Sequence, residues 1–175
     1  MRGSSQSGFT LIELMVVVTL VAVLASVAIW YFGRSTRTAK ASEVRAMFAE
    51  LRNRELQYHN EYNTYWPTGL SDTDYWPTPP SNKAKPIAPL PASWVSLRLN
   101  PGKTSLYCGY VAIAGNANDA SNLGPEATKF GLTAAPVRDW FYLVAECDFD
   151  GDSATNSFYF THSGMTRVLE LNPGR

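Results

Sequence analysis

Gly8-Phe9-Thr10-Leu11-Ile12-Glu13-Leu14 opens an apolar run that continues to Phe32, and the reading of this run decides the fold. At about 1.5 Å per residue, residues 9–32 make about 36 Å of helix, enough to cross a hydrocarbon core of about 30 Å. Glu13 is the one formal charge inside it. A carboxylate at mid-helix costs about 2.5–3.5 kcal/mol on insertion scales and less near the interface, so a spanning helix that keeps one has a partner for it.

Residues 8–14 resemble the class III signal of type IV prepilins and pseudopilins, in which a short leader ends in Gly and Phe-Thr-Leu-Ile-Glu-Leu follows. The resemblance implies that prepilin peptidase cuts between Gly8 and Phe9, that the new Phe9 amine is N-methylated, and that Glu13 neutralises the amine of a neighbouring subunit during assembly. Glu13 stands four residues after Phe9, about 6 Å along the axis, so a stagger between parallel helices brings one chain's amine beside another's carboxylate. The resemblance also implies an α+β, type IV pilin-like fold: a long N-terminal α-helix, transmembrane in its first half, packed on a C-terminal antiparallel β-sheet. Its implied partners are other pilin or pseudopilin subunits, prepilin peptidase, an inner-membrane assembly platform and, before assembly, membrane lipid. An ordinary anchor carrying an incidental Glu is the plainer alternative.

The family often has Gly where Ala22 stands and Pro where Trp30 stands. With neither helix breaker present, the helix is expected to stay continuous, a feature more like a minor pilin or pseudopilin than a major pilin. Residues 1–8 are polar, lack the apolar core of a secretory signal and read as a cleaved leader. Beyond Phe32, Val44, Phe48, Leu51, Tyr58 and Tyr62 recur on one helical face with Met47 on its flank, which predicts an amphipathic half, residues 33–62, of the same helix.

Residues 63–93 form a Pro- and aromatic-rich loop in which Tyr65-Trp66-Pro67-Thr68 recurs as Tyr75-Trp76-Pro77-Thr78. Either the two segments pack onto the helix or they present an aromatic platform to a partner subunit or glycan. Residues 94–175 read as an antiparallel β-sheet domain with strands at 94–99, 105–114, 140–147, 157–161 and 166–171. A turn at residues 162–165 closes the last hairpin, and 115–139 is read as a loop of the kind that is often surface-exposed in filaments of this family.

Cys108 and Cys147 lie in the part that would be exported, where a disulfide is the default. Arg2 precedes the helix, whereas Arg34, Arg37 and Lys40 follow the apolar run. By the positive-inside tendency alone, that distribution would place the large domain in the cytoplasm. The leader must meet its peptidase on the cytoplasmic side, so the motif implies the reverse: a single-pass inner-membrane protein with a periplasmic C-terminal domain, displayed on a surface filament after assembly.

Fifteen basic and fifteen acidic residues balance to a net charge of zero, which leaves no electrostatic footprint for nucleic acid. Asp148, Asp150 and Asp152 alternate around Gly151, with Asn156 following. Oxygens at alternate positions across a tight turn suit calcium, although the spacing is not that of an EF-hand. The other reading is a solvated turn whose Asp side chains accept from backbone N–H groups. No catalytic constellation or phosphate-binding glycine pattern is present, so an enzyme is not expected. Within the resemblance stand two functions, a minor or major type IV pilus subunit serving assembly, adhesion, motility or DNA uptake and a type II secretion pseudopilin; beyond it stands a third, a membrane-anchored calcium- or glycan-binding adhesin whose Tyr-Trp-Pro-Thr loop and Asp turn carry recognition.

Overall fold

In the computed structural model, which describes residues 8–152 and 154–174, the chain divides into two compact units, Met1–Thr36 and Arg37–Arg175. Seven residues of the expected leader, 1–7, lie outside the described residues. Helix α1, Leu11–Tyr62, runs without interruption, in keeping with the absence of Gly at 22 and Pro at 30. The fold is α+β, with this helix followed by an antiparallel sheet, as the resemblance implied.

In the second unit, strands β3 (Cys108–Gly115), β4 (Trp140–Cys147), β5 (Ser157–His162) and β6 (Leu169–Leu171) form an antiparallel sheet in sequence order. Alternation with period two sends Cys108, Tyr110, Ala112, Phe141, Leu143 and Ala145 to one face, where they pack with Val44, Met47, Phe48 and Leu51 of α1. These four helix residues are all buried, and a fully buried side chain of this size contributes about 1.5–3 kcal/mol. The opposite face, with Val111, Ile113, Tyr142, Val144 and Phe160, is also covered. This explains why β3 and β4 read as near-continuous apolar runs rather than as alternating ones.

The second cover comes from the segment read as an exposed loop. Within it, Pro125–Lys129 forms the short helix α3, and Leu123, Ala127, Phe130 and Leu132 pack over the sheet. Residues 94–99 are not a strand: Ala92–Ser96 is the short helix α2, begun by Trp94 and Val95 N–H groups donating to the Pro91 carbonyl. Trp94 and Leu97, three apart, then share a buried face.

The strand expected at 105–114 is broken at Tyr107. Ser105–Leu106 (β2) pairs with Lys85–Pro86 (β1) in a separate two-stranded sheet, while β3 begins at Cys108. The expected strand 166–171 shortens to Leu169–Leu171. A turn joins β5 to the residues before β6, with Met165 N–H donating to the His162 carbonyl.

Both aromatic segments pack inward. Tyr65 stacks on His59 of α1 at 4.3 Å, and Trp66 lies 5.4 Å from Tyr58. Trp76 pairs with Tyr110 through reciprocal backbone hydrogen bonds of 3.0 and 2.9 Å, which extends the sheet beyond β3. Gly109 makes room: a Cβ there would lie 2.7 Å from the Tyr75 Cβ and 2.9 Å from the Pro77 carbonyl oxygen.

Cys108 and Cys147 face each other across β3 and β4 with Cα atoms 4.4 Å apart and form a disulfide. Closing a loop of this size stabilises the fold by about 4 kcal/mol in the chain-entropy model. Replacing both cysteines by Ser is therefore expected to lower the urea midpoint substantially, and a midpoint unchanged from wild type would refute that contribution.

Candidate functional site

The N-terminal segment is built locally. Gly8, Phe9 and Thr10 precede the helix, and among the described residues beyond its chain neighbours no atom lies within 4 Å of where a Cβ on Gly8 would stand. Both sides of the Gly8-Phe9 bond are exposed, as a processing site requires. Thr10 and Glu13 form a reciprocal cap: Glu13 N–H donates to Thr10 Oγ1 at 3.3 Å. In return, Thr10 N–H and its hydroxyl donate to Glu13 Oε2 at 3.3 and 3.2 Å. This is the capping-box pattern Thr-x-x-Glu, which satisfies N–H groups that a helix start leaves orphaned. Reading Glu13 only as a partner for an amine overlooked this second role, although the spacing was visible in the sequence.

Beyond the cap, α1 carries exposed Leu, Ile, Val and Met side chains around its whole surface to Phe32. It is long and apolar enough to cross a membrane by length and composition. Two of its hydroxyls are satisfied within the helix, Thr19 donating to the Val16 carbonyl at 2.8 Å and Ser26 to the Val23 carbonyl at 2.7 Å. Lipid offers no partner for a free hydroxyl, so this back-bonding suits the segment to a bilayer.

Two carboxylates that the sequence reading missed fasten the C-terminal half of α1 to the rest of its unit. Glu43 Oε1 accepts from the N–H groups of Tyr107 and Cys108, at 3.0 and 3.4 Å, and from the Tyr110 hydroxyl at 3.0 Å. Lys103 Nζ lies 3.5 Å from its Oε2. By drawing two successive amides toward the helix, Glu43 accounts for the break between β2 and β3. Glu55 is fully buried, and its Oε2 accepts from the Trp66 N–H at 2.9 Å. Burial, partly opposed by that hydrogen bond, pushes its carboxyl up to about 8. The signal for both was present but weak: each interrupts the apolar face at helical spacing from Met47 or Leu51, where a solvent-facing charge would not fall.

The acidic turn closes on itself. Asp148 Oδ1 accepts from Gly151 N–H at 2.6 Å, Asp150 Oδ1 from Asp152 N–H at 3.1 Å, and Asp152 Oδ1 from Ala154 N–H at 3.1 Å. Gly151 supplies the positive φ of 82° at the tip. Asn156 turns away to donate to Glu146 Oε1 at 2.6 Å. Among the described residues, no three Asp, Glu, His or Cys side chains gather in a group that could hold a metal ion. The three Asp side chains of this turn thus each accept from a backbone N–H group, Asp148 from a buried position and Asp152 from an exposed one.

An exposed Gly-Phe bond, a capped helix start with Glu at its third position and an apolar span define a chain bearing a class III prepilin-like signal. Residues 3–29 match the family model described as the prokaryotic N-terminal methylation motif. No curated protein and no solved structure matches the chain. The motif is structural rather than enzymatic and supports a subunit of the type IV pilin or pseudopilin kind, with prepilin peptidase processing and pilin subunits as its general partners. Together with the apolar helix, it supports membrane anchoring before assembly.

Glu55 generates a prediction with a definite sign. Its carboxyl takes up its proton near pH 8 in the folded chain and near 4.5 otherwise, so the folded state binds more protons between those limits. Its contribution is complete below about pH 4.5 and is lost as pH rises through about 8, with a slope of up to about 1.4 kcal/mol per unit. Urea unfolding across this window should show Glu55→Gln with a flatter stability profile than wild type, and superimposable slopes would refute the assignment.

Proposed function

We propose that the chain is a structural subunit of a type IV pilus, minor or major, that polymerises through its N-terminal helix. The observation carrying this reading is the apolar span of α1, unpartnered on every face and headed by an exposed Gly8-Phe9 bond with Glu13 just inside the helix. Prepilin peptidase cuts after Gly8, and the Phe9 amine is methylated. The mature chain waits in the inner membrane with its C-terminal domain in the periplasm, an orientation favoured by the Cys108–Cys147 disulfide because such bonds persist in oxidising compartments.

On extraction by the assembly platform, neighbouring helices replace lipid around residues 9–32. Glu13 then meets the Phe9 amine of the next subunit, a charge-assisted contact about twice as strong as a neutral hydrogen bond. The assembled filament serves surface functions such as adhesion, motility or DNA uptake, and no chemical step falls to this chain.

The two roles of Glu13 can be separated. Gln preserves a capping box but carries no charge, whereas Ala loses both. We expect both Glu13→Gln and Glu13→Ala to insert and be cleaved after Gly8 yet fall out of sheared filaments, as quantified by mass spectrometry. Normal incorporation of the Gln variant would reduce Glu13 to a cap. A processed wild-type chain confined to the envelope would favour a type II secretion pseudopilin instead of the pilus.

A further inference from the structure

Between α1 and the β5–β6 connection lies a groove of about 500 Å³ whose floor includes Phe48, Ala49 and Val168 and whose sides carry Arg45, Arg52 and Arg167. Arg52 is held rigidly. One of its Nη atoms donates to Thr161 Oγ1 at 3.0 Å and to the His162 carbonyl at 2.8 Å, and its guanidinium stacks 5.6 Å from the Phe141 ring centroid. All of these partners are neutral. Arg45 has one carboxylate, Glu170, at 3.6 Å in a solvent-exposed pair, the kind that contributes little. Arg167 is exposed, and among the described residues neither it nor Arg52 is within salt-bridge distance of a carboxylate. Three guanidiniums against one carboxylate around an apolar floor concentrate positive potential in the groove. The guanidinium fork also suits carboxylate oxygens in pairs.

The same unit carries a complementary surface. In the turn between β4 and β5, Asp150 and Asp152 each commit one oxygen to a backbone amide, and the second Asp152 oxygen accepts from the Thr155 hydroxyl at 3.3 Å, which fixes the carboxylates. Among the described residues no basic side chain pairs with them. This turn sits at the Ser157 end of β5, whereas the groove sits at the His162 end. Five residue steps of strand separate the ends by about 17 Å, so a chain does not place its own turn in its own groove.

We propose that the acidic turn at residues 148–152 of one copy docks in the Arg45–Arg52–Arg167 groove of the next. The contact is heterologous, since donor and acceptor surfaces differ, and a repeated heterologous contact that does not close into a ring builds a helical filament. The proposal rests on the filament reading above and adds to it a second, polar contact outside the N-terminal helix.

The test is a charge swap read in sheared filaments. Arg167→Glu and Asp150→Arg are each expected to lower filament yield about tenfold, and the two together in one chain are expected to restore it to within about threefold of wild type. Cells co-expressing an Asp150→Cys chain and an Arg167→Cys chain should yield an intermolecular disulfide joining the two, which reports proximity without depending on charge. Single variants that assemble normally, a swap that fails to rescue, or the absence of that cross-link would each overturn the docking. Loss of yield with Arg167→Glu but not with Asp150→Arg would assign the groove to another anion and likewise overturn it. A wild-type chain missing from filaments would instead overturn the filament reading, and the docking with it.

Discussion

The packing of Val44, Met47, Phe48 and Leu51 against the face of β3 and β4 that carries Cys108, Tyr110 and Leu143 is the interaction on which the C-terminal unit depends. No other element of this unit is long enough to serve as a spine, and the sheet has its longest strands, β3 and β4, at that contact. Two buried carboxylates bracket the stripe on the helix. Glu43 fixes where β3 begins by accepting two backbone N–H groups, with Lys103 beside its other oxygen, and Glu55 fixes where the chain turns after the helix by accepting the Trp66 N–H. A buried carboxylate is costly unless it is hydrogen-bonded or neutral. Glu43 meets the first condition with three donors on a single oxygen, and Glu55 meets the second by keeping its proton. Apolar contact supplies the adhesion between helix and sheet, and these two polar contacts supply its register.

The N-terminal segment solves the opposite problem, that of having nothing to pack on. The Thr10, Thr19 and Ser26 hydroxyls and the Thr10 and Glu13 N–H groups are satisfied within the helix, which suits it to lie in lipid as a single helix. In the proposed filament, Glu13 would connect that state to the assembled one. While the helix is alone, its carboxylate is engaged by Thr10; beside another helix, the second oxygen remains open to an amine. Because the cap uses only Oε2, pairing with a neighbouring Phe9 would not require the helix start to unwind.

What could be read from the sequence was whatever is written locally or imposed by composition. The helix declared itself through the apolar run and then a 3.6-residue stripe, β4 through a compact apolar segment, and the disulfide through two cysteines in an exported context. Residues 94–99 were misread because Trp94, Leu97 and Leu99 are compatible with either period over so short a run, and the Pro91 carbonyl that starts the helix is a backbone feature. The division of 105–114 into two strands depends on Glu43, some sixty residues away in the chain, and no local pattern announces it. Residues 115–139 looked like loop because Asn, Gly, Asp and Pro recur through them. Four of their apolar residues, Leu123, Ala127, Phe130 and Leu132, nevertheless pack over a sheet face.

The repeated Tyr-Trp-Pro-Thr segments show how far context overrides local sequence. The first lies against α1 through Tyr65 and Trp66, whereas the second runs beside β3, with Tyr75 on the other sheet face and Trp76 in the backbone ladder. Gly109 permits the second arrangement, and the Glu55 carboxyl secures the first. With most of these aromatic side chains at least half-buried, the large apolar residues left exposed beyond the spanning helix, such as Leu70, Val95 and Val137, are separated along the chain. Scattered apolar residues of this kind are ordinary on a protein surface and do not by themselves form a docking patch. In the proposed filament, contacts between C-terminal units would draw their specificity from fixed charges, such as those of the arginine groove beside α1 and the acidic turn at the far end of β5.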